Sequence, residues 1–418
     1  MYRHSMKKKQ LRWTLWTIAS PFILFIILCI LIYLPPIQNF LVDKAAVYAS
    51  EATGMNISVG RISLSFPLNL VVTDVDAASP HKDTLLSVRR LQVNVQLLPL
   101  LKKQVEVDGI SLQGATVNSN DLIHGMRLNG TLGELFISSH GVALDPETAI
   151  VNKVLLKDTD LSLCLNDTAA ADTAASDTTY WKIILQDIDL QNVSFALDMP
   201  LDSLSLAASL DNAILRDGLI DLHKSAYSLQ TFRIKNGRVR YDSGRPSATA
   251  SADSLSAGLD PSHIALTDIG VKLDSLYYEG RNMKAVISQF VLKERSGVEI
   301  VSTEGRLVSN DKVLRVPSLK LETRDSYLEL NAAMDWDALD FKKEGLVSAR
   351  LMADIGKPDV VRFMGSMDEK FIRKYPSEPL RIRTGIDGDL NKLKLTTLTA
   401  ELPGALELFA KGELTSLT

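Results

Sequence analysis

Strict alternation of apolar and polar residues is the feature of this sequence that most constrains its fold. In SVRRLQVNVQLLPLLKKQVEVDGISLQGATV, which begins at Ser87, apolar residues occupy every second position from Leu91 to Leu97. After a turn around Pro99, the alternation returns between Val105 and Leu112. A period of two places the apolar side chains of a β-strand on one face. The chain is therefore expected to build a sheet with one apolar face, which something must cover.

A long uncharged segment near the N-terminus predicts a membrane anchor. No charged residue occurs between Trp13 and Val42, and about 20 apolar residues suffice to cross a bilayer as a helix. We predict a transmembrane helix over residues 13–34, ended by Pro35 and Pro36, which cannot continue helical hydrogen bonding. The side chains expected to face lipid or the membrane interface are Trp13, Trp16, Phe22, Phe25, Leu28, Leu31 and Tyr33.

The alternative for this segment is a cleaved signal peptide. Such a peptide has an apolar core of roughly 7–15 residues, followed by a cleavage site with small residues. The run here is longer, and Tyr33–Pro36 is a poor cleavage site, which favours an uncleaved anchor. Residues 1–12 form a basic tail, and basic flanks stay in the cytoplasm. The predicted topology is a single-pass anchor with a cytoplasmic N-terminus.

Beyond the anchor, the sequence predicts one short helix and then a mainly β chain. Residues 35–55 form an amphipathic helix and linker, because apolar residues from Ile37 to Ala52 recur at spacings of three and four before Gly54. Residues 56–418 show repeated strand patterns, with a low-complexity solvent loop at 168–179 and one helical insertion at 358–375. Hairpin turns are expected at Asp108–Gly109, Asn236–Gly237, Ser296–Gly297 and Asn310–Asp311.

An aspartate recurs just before or within the strand patterns. It recurs close to apolar residues in segments that begin at Thr73, Val107, Lys157, Gln186 and Thr267. The irregular spacing argues against a tight solenoid and favours an elongated, twisted antiparallel sheet whose strands are added one after another.

A series of short motifs resembles the opening of a known family. The motifs are Thr53–Gly54 with Val59, the bend Ser65–Phe66–Pro67, a strand through Arg90 and Leu91, the turn Leu97 with Pro99–Lys102, and Ile110–Ala115. Over Thr53–Val117 their order and spacing resemble the AsmA-like family, of the translocation-and-assembly-module (TamB) type. ELPGALELFAKGEL near residue 410 is similar to later repeats of that family.

The resemblance implies a protein of the inner (plasma) membrane, with the bulk of the chain in the periplasm, and the chain is either the N-terminal portion of a longer family member or a short family member. It implies an apolar β-groove that serves phospholipid transport between envelope membranes, outer-membrane protein assembly or protein secretion. The partners it implies are membrane phospholipids and an outer-membrane protein of the BamA family.

The sequence offers little for catalysis, metals or nucleic acid. It contains no nucleophile elbow, P-loop, dinucleotide fingerprint or HExxH motif, and its net charge is −4 without a basic stripe. Pairs of aspartates two residues apart favour a solvated strand face over a cation site, because such residues share a face. These pairs are Asp74/Asp76, Asp158/Asp160 and Asp187/Asp189. We therefore expect a non-enzymatic protein without cofactor, metal or nucleic-acid partner, and we name no catalytic residue.

A basic cluster surrounds the late helical insertion. It favours a solvated helix face, with contact to a partner or to lipid headgroups as the alternative. Its members are Arg362, Lys370, Arg373, Lys374, Arg381 and Arg383.

Two arrangements would cover the apolar face. Two sheets could pack against each other as a closed sandwich, or one sheet could curl into a groove that a hydrophobic ligand fills, since soluble proteins rarely expose large apolar patches. The anchor and the resemblance favour the groove, and an anchored scaffold that binds outer-membrane proteins through an open sheet edge is a further alternative. The groove hypothesis names as lining Leu91, Val93, Val95, Val105, Val107, Ile110, Leu112, Leu163, Leu190 and Phe195.

Overall fold

A computed structural model describes most of the β-rich region of the chain. The described residues are 54–65, 69–79, 84–96, 107–119, 125–143, 147–166, 180–244, 258–340, 345–364, 369–389 and 392–415, together with Lys44, Ala46, Val47, Ser50, Glu51 and Lys343. The chain divides into two units, residues 1–118 and residues 119–418.

The described part of the chain is mainly β, as the sequence predicts. The first unit contains β1 (Asn56–Ser65), β2 (Asn69–Ala78), β3 (Thr84–Val95) and β4 (Val107–Asn118). The second unit contains β5 (Met126–Ala143), β6 (Thr148–Leu165), β7 (Lys182–Met199), β8 (Leu204–Asp221), β9 (Ala226–Leu229), β10 (Thr231–Ser243), β11 (His263–Glu279), β12 (Asn282–Glu294), β13 (Glu299–Ser309), β14 (Val313–Thr323), β15 (Tyr327–Asp335), β16 (Val347–Ile355), β17 (Leu380–Gly388), β18 (Lys392–Leu402) and β19 (Leu406–Thr415).

Strands of the first unit form an antiparallel meander in chain order. β1 pairs with β2, β2 with β3, and β3 with β4. Short connections between sequential strands favour this topology, because antiparallel neighbours need only a hairpin loop.

Strands of the second unit form one sheet, in which neighbours in the chain are almost always neighbours in space. From β11 to β19 every strand pairs with the next one in antiparallel orientation. β9 and β10 share one position in the sheet, because both lie between β8 and β11 and are separated by a single residue, Gln230. The predicted turn at Asn310–Asp311 does connect β13 to β14.

One pairing departs from the predicted antiparallel sheet. β6 and β7 are parallel, with Thr148 opposite Lys182 and Leu163 opposite Leu197. Parallel neighbours need a crossover of a dozen or more residues. The 16 residues between Leu165 and Lys182 provide that length, and they include the predicted loop 168–179, which lies outside the described residues.

The late helical insertion contains two short helices. They are α1 (Lys357–Met364) and α2 (Glu369–Lys374), inserted between β16 and β17. A 3₁₀ turn at Trp336–Leu339 follows β15.

The predictions for the N-terminal segment fall largely outside the described residues. Lys44, Ala46, Val47, Ser50 and Glu51 are helical, and the N–H of Gly54 donates to the carbonyl of Ser50 at 2.9 Å. The basic tail 1–12, the anchor 13–34 and most of the segment 35–55 are not described, so they stay predictions. No helix among the described residues has the length and apolarity needed to cross a bilayer.

Candidate functional site

Register in the first unit places apolar side chains in continuous rows across its four strands. Residues directly opposite each other on antiparallel strands point to the same face. One row is Leu64, Leu70, Val93 and Ile110, and the next is Ile62, Val72, Leu91 and Leu112. Val95 lies opposite Val107 on the same face.

A longer apolar row crosses the second unit. Each member is the register partner of the member before it, over fourteen strands from β5 to β19. The row, which we call the apolar row, is Ile137, Val154, Ile188, Leu215, Phe232, Leu273, Ile287, Gly305, Leu319, Leu330, Leu351, Thr384, Leu398 and Ala410. Twelve members are apolar side chains, and the other two are a glycine and a threonine.

Parallel rows widen this apolar face. A second row lies two residues further along each strand and spans β5 to β11. A third row crosses the same strands on the other side of the bulges, which are described below. The second row is Leu135, Leu156, Leu190, Ala213, Ile234 and Val271, and the third is Leu128, Leu163, Leu197, Leu206, Tyr241 and Ile264. The face is therefore a broad apolar surface, not a single line of residues.

Rows on the opposite face are polar. One of them runs through Thr131, Asp160, Ser194, Ser209 and Arg238, and another through Ser138, Lys153, Asp187, Arg216 and Thr231. Arg216 donates to the carboxylate of Asp187 in the second of these rows. The sheet of the second unit thus has the one-sided polarity that the alternation predicts.

Nothing among the described residues buries the apolar row. All fourteen of its members are intermediate in exposure, neither buried nor fully exposed. The face also contains Phe195, which is 38% exposed. A sandwich partner would bury such residues, since inner-face side chains of packed sheets form the core. Within the described part of the second unit, all strands belong to one sheet, which favours the open arrangement over the sandwich.

A left-handed residue recurs within the strands and keeps the apolar face continuous. Seven residues inside strands have φ between 49° and 62°, a region that Gly, Asn and Asp tolerate better than other residues. They are Asp74, Gly114, Asp158, Asn192, Asp217, Asn236 and Asp268. Each follows a polar residue that itself follows an apolar one, and the next residue is apolar in four of the seven, glycine in two and threonine in one.

The left-handed residue shifts the alternation by one position. On β10, Arg233 and Lys235 are exposed before it and Arg238 is exposed after it, so the exposed positions change from odd to even numbers at Asn236. Gly237, which follows, is buried. The register between β10 and β11 is irregular at the same place, as in a β-bulge. Without this shift, one half of each strand would present its apolar residues to the wet face.

The bulges align across neighbouring strands and interact on the polar face. The Nδ2 atom of Asn192 donates to Asp158 at 2.9 Å, and that of Asn236 donates to Asp211 at 2.9 Å. Lys293 forms an ion pair with Asp268 at 2.9 Å, and this hydrogen bond raises the pKa of the lysine. The side chains at the bulges therefore form a line of polar contacts across the polar face of the sheet.

The structure corrects two predictions at these bulges. Asn236–Gly237 is not a hairpin turn but lies inside β10, because a left-handed Asn is needed in a bulge as well as in a turn. Asp108–Gly109 likewise lies inside β4, where the register with β3 shifts. Two of the three Asp-x-Asp pairs, Asp74/Asp76 and Asp158/Asp160, are not equivalent positions on a regular strand, since Asp74 and Asp158 have left-handed backbones. Asp187 and Asp189 lie in regular register on β7. The bulges were missed in the sequence, although the polar doublet between apolar residues could have revealed them.

Most of the predicted lining lies on the apolar faces. In the first unit, Leu91, Val93, Val95, Val107, Ile110 and Leu112 share one face. In the second unit, Leu163, Leu190 and Phe195 share the face of the apolar row. Val105 lies outside the described residues. None of the fourteen members of the apolar row was among the predicted lining residues.

A hollow with a mixed polar and apolar wall lies on the opposite face of the second unit. Its volume is about 380 Å³, and Arg350 and Arg383 contribute to its wall. Both arginines form ion pairs, with Asp387 at 2.8 Å and Asp354 at 2.7 Å respectively. The described residues contain no group of His, Cys, Asp and Glu side chains that could hold a metal ion.

Comparison with known proteins gives no relative to set beside this geometry. No protein-family model matches the chain, and no curated protein matches it. The AsmA-like resemblance therefore stays a prediction.

Proposed function

We propose that this chain is a membrane-anchored, non-enzymatic protein that carries phospholipid acyl chains along the apolar face of its sheet. The observation that supports the proposal is the apolar row, which continues over fourteen strands while none of its members is fully buried. At about 4.8 Å between neighbouring strands, the row extends over roughly 60 Å measured along the sheet.

The energetics of lipid transfer explain why such a face would be useful. Moving an acyl chain of about 16 carbons from a membrane into water costs roughly 12 kcal/mol, at about 0.8 kcal/mol per methylene. A two-chain phospholipid roughly doubles this cost. A sheet face that offers hydrocarbon contact removes most of the barrier without any chemical step, and the predicted anchor over residues 13–34 would place it next to a bilayer.

The chemistry of the face favours acyl chains over a polypeptide as the occupant. A bound peptide needs hydrogen-bond partners for its backbone groups, because unsatisfied groups are costly in an apolar site. The apolar row offers one hydroxyl, that of Thr384, in fourteen positions. A hollow of about 240 Å³ on the face, with Val316, Ala332 and Ala349 in its wall, adds space between small side chains.

Native mass spectrometry of the detergent-purified chain tests the proposal. We expect phospholipid to co-purify with the wild-type protein and the Phe232→Asp variant to retain much less, because a carboxylate on the face opposes hydrocarbon. The matched control is Arg233→Glu, which changes the charge of the next residue on the polar face. Leu330→Asp, five strands further along the row, repeats the test at a second place.

Circular dichroism separates loss of lipid from loss of fold. If the wild-type protein carries no phospholipid, or if folded Phe232→Asp and Leu330→Asp proteins carry as much lipid as the wild type, the proposal is wrong.

The second candidate function is a scaffold that binds outer-membrane proteins by β-augmentation. The supporting observation is β19, which pairs only with β18 among the described strands and exposes large side chains. Leu406 is 48% exposed, Leu408 45% and Phe409 71%. Crosslinks from Phe409 to a barrel protein, with no lipid in the purified chain, would favour the scaffold over the lipid carrier.

A further inference from the structure

The helical insertion between β16 and β17 exposes large apolar side chains to solvent. Phe363 is 55% exposed and Met364 62% at the end of α1, and Phe371 is 52% exposed near the start of α2. We call these three residues the hairpin tip. Exposed apolar clusters on a small surface element mark an interaction site more often than a random surface does.

Both helices belong to one hairpin whose open end is closed by a hydrogen bond. The Nζ atom of Lys357, the first residue of α1, donates to the carbonyl of Tyr375, just after α2, at 2.8 Å. The chain therefore leaves and returns at the same place. Phe363 and Met364 end α1 away from this point, and Phe371 lies one helical turn before Tyr375, with the two ring centroids 6.1 Å apart. The backbone N–H of Leu259 also donates to the carbonyl of Arg362 at 2.7 Å.

A buried carboxylate fixes α1 to the sheet. Asp359 is 1% exposed and accepts hydrogen bonds from the hydroxyls of Thr323 and Ser326 in and after β14. It also accepts from Arg362 at 3.1 Å, and Arg362 bonds Asp325 at 2.8 Å. Burial opposes the charge of Arg362, but these two hydrogen bonds prevail and raise its pKa. Because α1 is held in this way, the tip cannot turn inward without breaking a buried network.

The basic cluster predicted around the insertion lies on three elements: Arg362 on α1, Arg381 and Arg383 on β17, and the other three residues on α2. Arg362, Arg381 and Arg383 form ion pairs with carboxylates of the sheet or of its turns. The other three basic residues are exposed on α2 next to Phe371. They are Lys370, Arg373 and Lys374. The insertion thus combines exposed apolar side chains with basic side chains on one short element.

We propose that the hairpin tip inserts into the interfacial region of a bilayer that contains anionic lipid. Apolar and aromatic side chains that enter the acyl boundary, flanked by lysine and arginine at headgroup level, are the combination that binds such surfaces. This inference deepens the proposed function, since a lipid carrier needs a contact with a membrane besides its own anchor. The insertion lies between β16 and β17, eleven pairings along the sheet from β5.

Vesicle flotation tests the inference with the full chain held in nanodiscs, so that the predicted anchor is already embedded. The probes are phosphatidylcholine vesicles with and without about 30% phosphatidylglycerol. We expect the wild-type protein to float with the anionic vesicles. The combined variant Phe363→Ser, Met364→Ser, Phe371→Ser should bind about tenfold less, and so should Lys370→Glu, Arg373→Glu, Lys374→Glu.

Matched controls come from other exposed leucines. Leu201→Ser and Leu339→Ser remove side chains that are 63% and 58% exposed elsewhere, and both variants should float like the wild type. Equal flotation of the wild type and the serine variant would overturn the inference, as would equal binding to neutral and anionic vesicles. Capture of a protein in place of vesicles would also overturn it.

Lipid carriage and vesicle docking can be separated by the variants. Folded hairpin-tip variants should keep the phospholipid that co-purifies with the chain, while Phe232→Asp should lose it and still dock to anionic vesicles. If the wild-type chain carries phospholipid but does not float with anionic vesicles, the inference about the hairpin tip is wrong and the proposed lipid carriage is unaffected.

Discussion

Asn236 gives the sharpest test of why the strands contain left-handed residues. Its φ is 52°, and its side chain donates to Asp211 at 2.9 Å. In Asn236→Ala, the left-handed backbone costs about 1–2 kcal/mol, and the lost exposed hydrogen bond costs about 0.5 kcal/mol. In Asn236→Gly the first cost disappears, because glycine adopts this conformation freely. The predicted order of stability is Asn, then Gly, then Ala, with about 2 kcal/mol between Asn and Ala.

Hydrogen–deuterium exchange of β10 and β11 measures this difference locally. A long sheet opens in parts, so the exchange of these strands reports their own stability better than a global melting curve does. About 2 kcal/mol corresponds to roughly 30-fold faster exchange in Asn236→Ala, while Asn236→Gly should change the rate only a few-fold. Lys235→Ala, at the exposed neighbour, is the control and should leave exchange unchanged. If the alanine and glycine variants exchange at the same rate, backbone strain is not the reason for an asparagine here.

Two further predictions concern groups away from the apolar face. Asp359→Ala removes the buried carboxylate that binds Arg362 and the hydroxyl of Thr323, and it should destabilise the α1 region by about 3 kcal/mol. The measurement is amide exchange in α1, which should be faster; exchange unchanged from the wild type would contradict a structural role for the carboxylate. Hydrogen bonds from Arg350 and Ser348 lower the pKa of Asp387 below its usual value of 3.8. The ionised carboxylate therefore adds no more than about 1 kcal/mol to the free energy of unfolding at this exposed site, and this stabilisation is present above pH 3.8 and is lost on acidification. Unfolding midpoints of Asp387→Asn and wild type should therefore differ at pH 7 and converge as the pH falls below 3.8, and a constant difference would contradict this assignment.

Local patterns in the sequence were enough to predict the strands and one apolar face. Alternation with a period of two depends only on neighbouring residues, so the sequence alone places Leu91, Val93 and Val95 on one face. The turn at Asn310–Asp311 was also predictable, because it separates two clear alternating segments.

The bulges and the strand order could not be obtained in the same way. Asn236–Gly237 satisfies the backbone needs of a hairpin turn and of a bulge equally, and only the partner strands β8 and β11 decide between them. The parallel pairing of β6 and β7 depends on where a 16-residue connection returns the chain. Both features are decided by contacts between residues far apart in the sequence.

The continuity of the apolar row could likewise not be predicted from the sequence. Gly305 and Leu319 are partners in the sheet, and a Cβ atom at Gly305 would lie 2.8 Å from Leu319 Cδ1, so the glycine makes room for the leucine. A lone glycine within β13 gives no such indication until its partner is known.

Photocrosslinking of lipid along the apolar row tests the central claim most directly. A benzophenone amino acid is placed in turn at Ile188, Phe232 and Leu330 on the apolar face, and at Asp187 and Arg233 on the polar face. The chain is irradiated in its native membrane, purified and analysed by mass spectrometry. The proposal predicts phospholipid adducts at the three apolar positions and none at the two polar ones. Equal adduct formation on both faces, or adducts with protein alone, would contradict it.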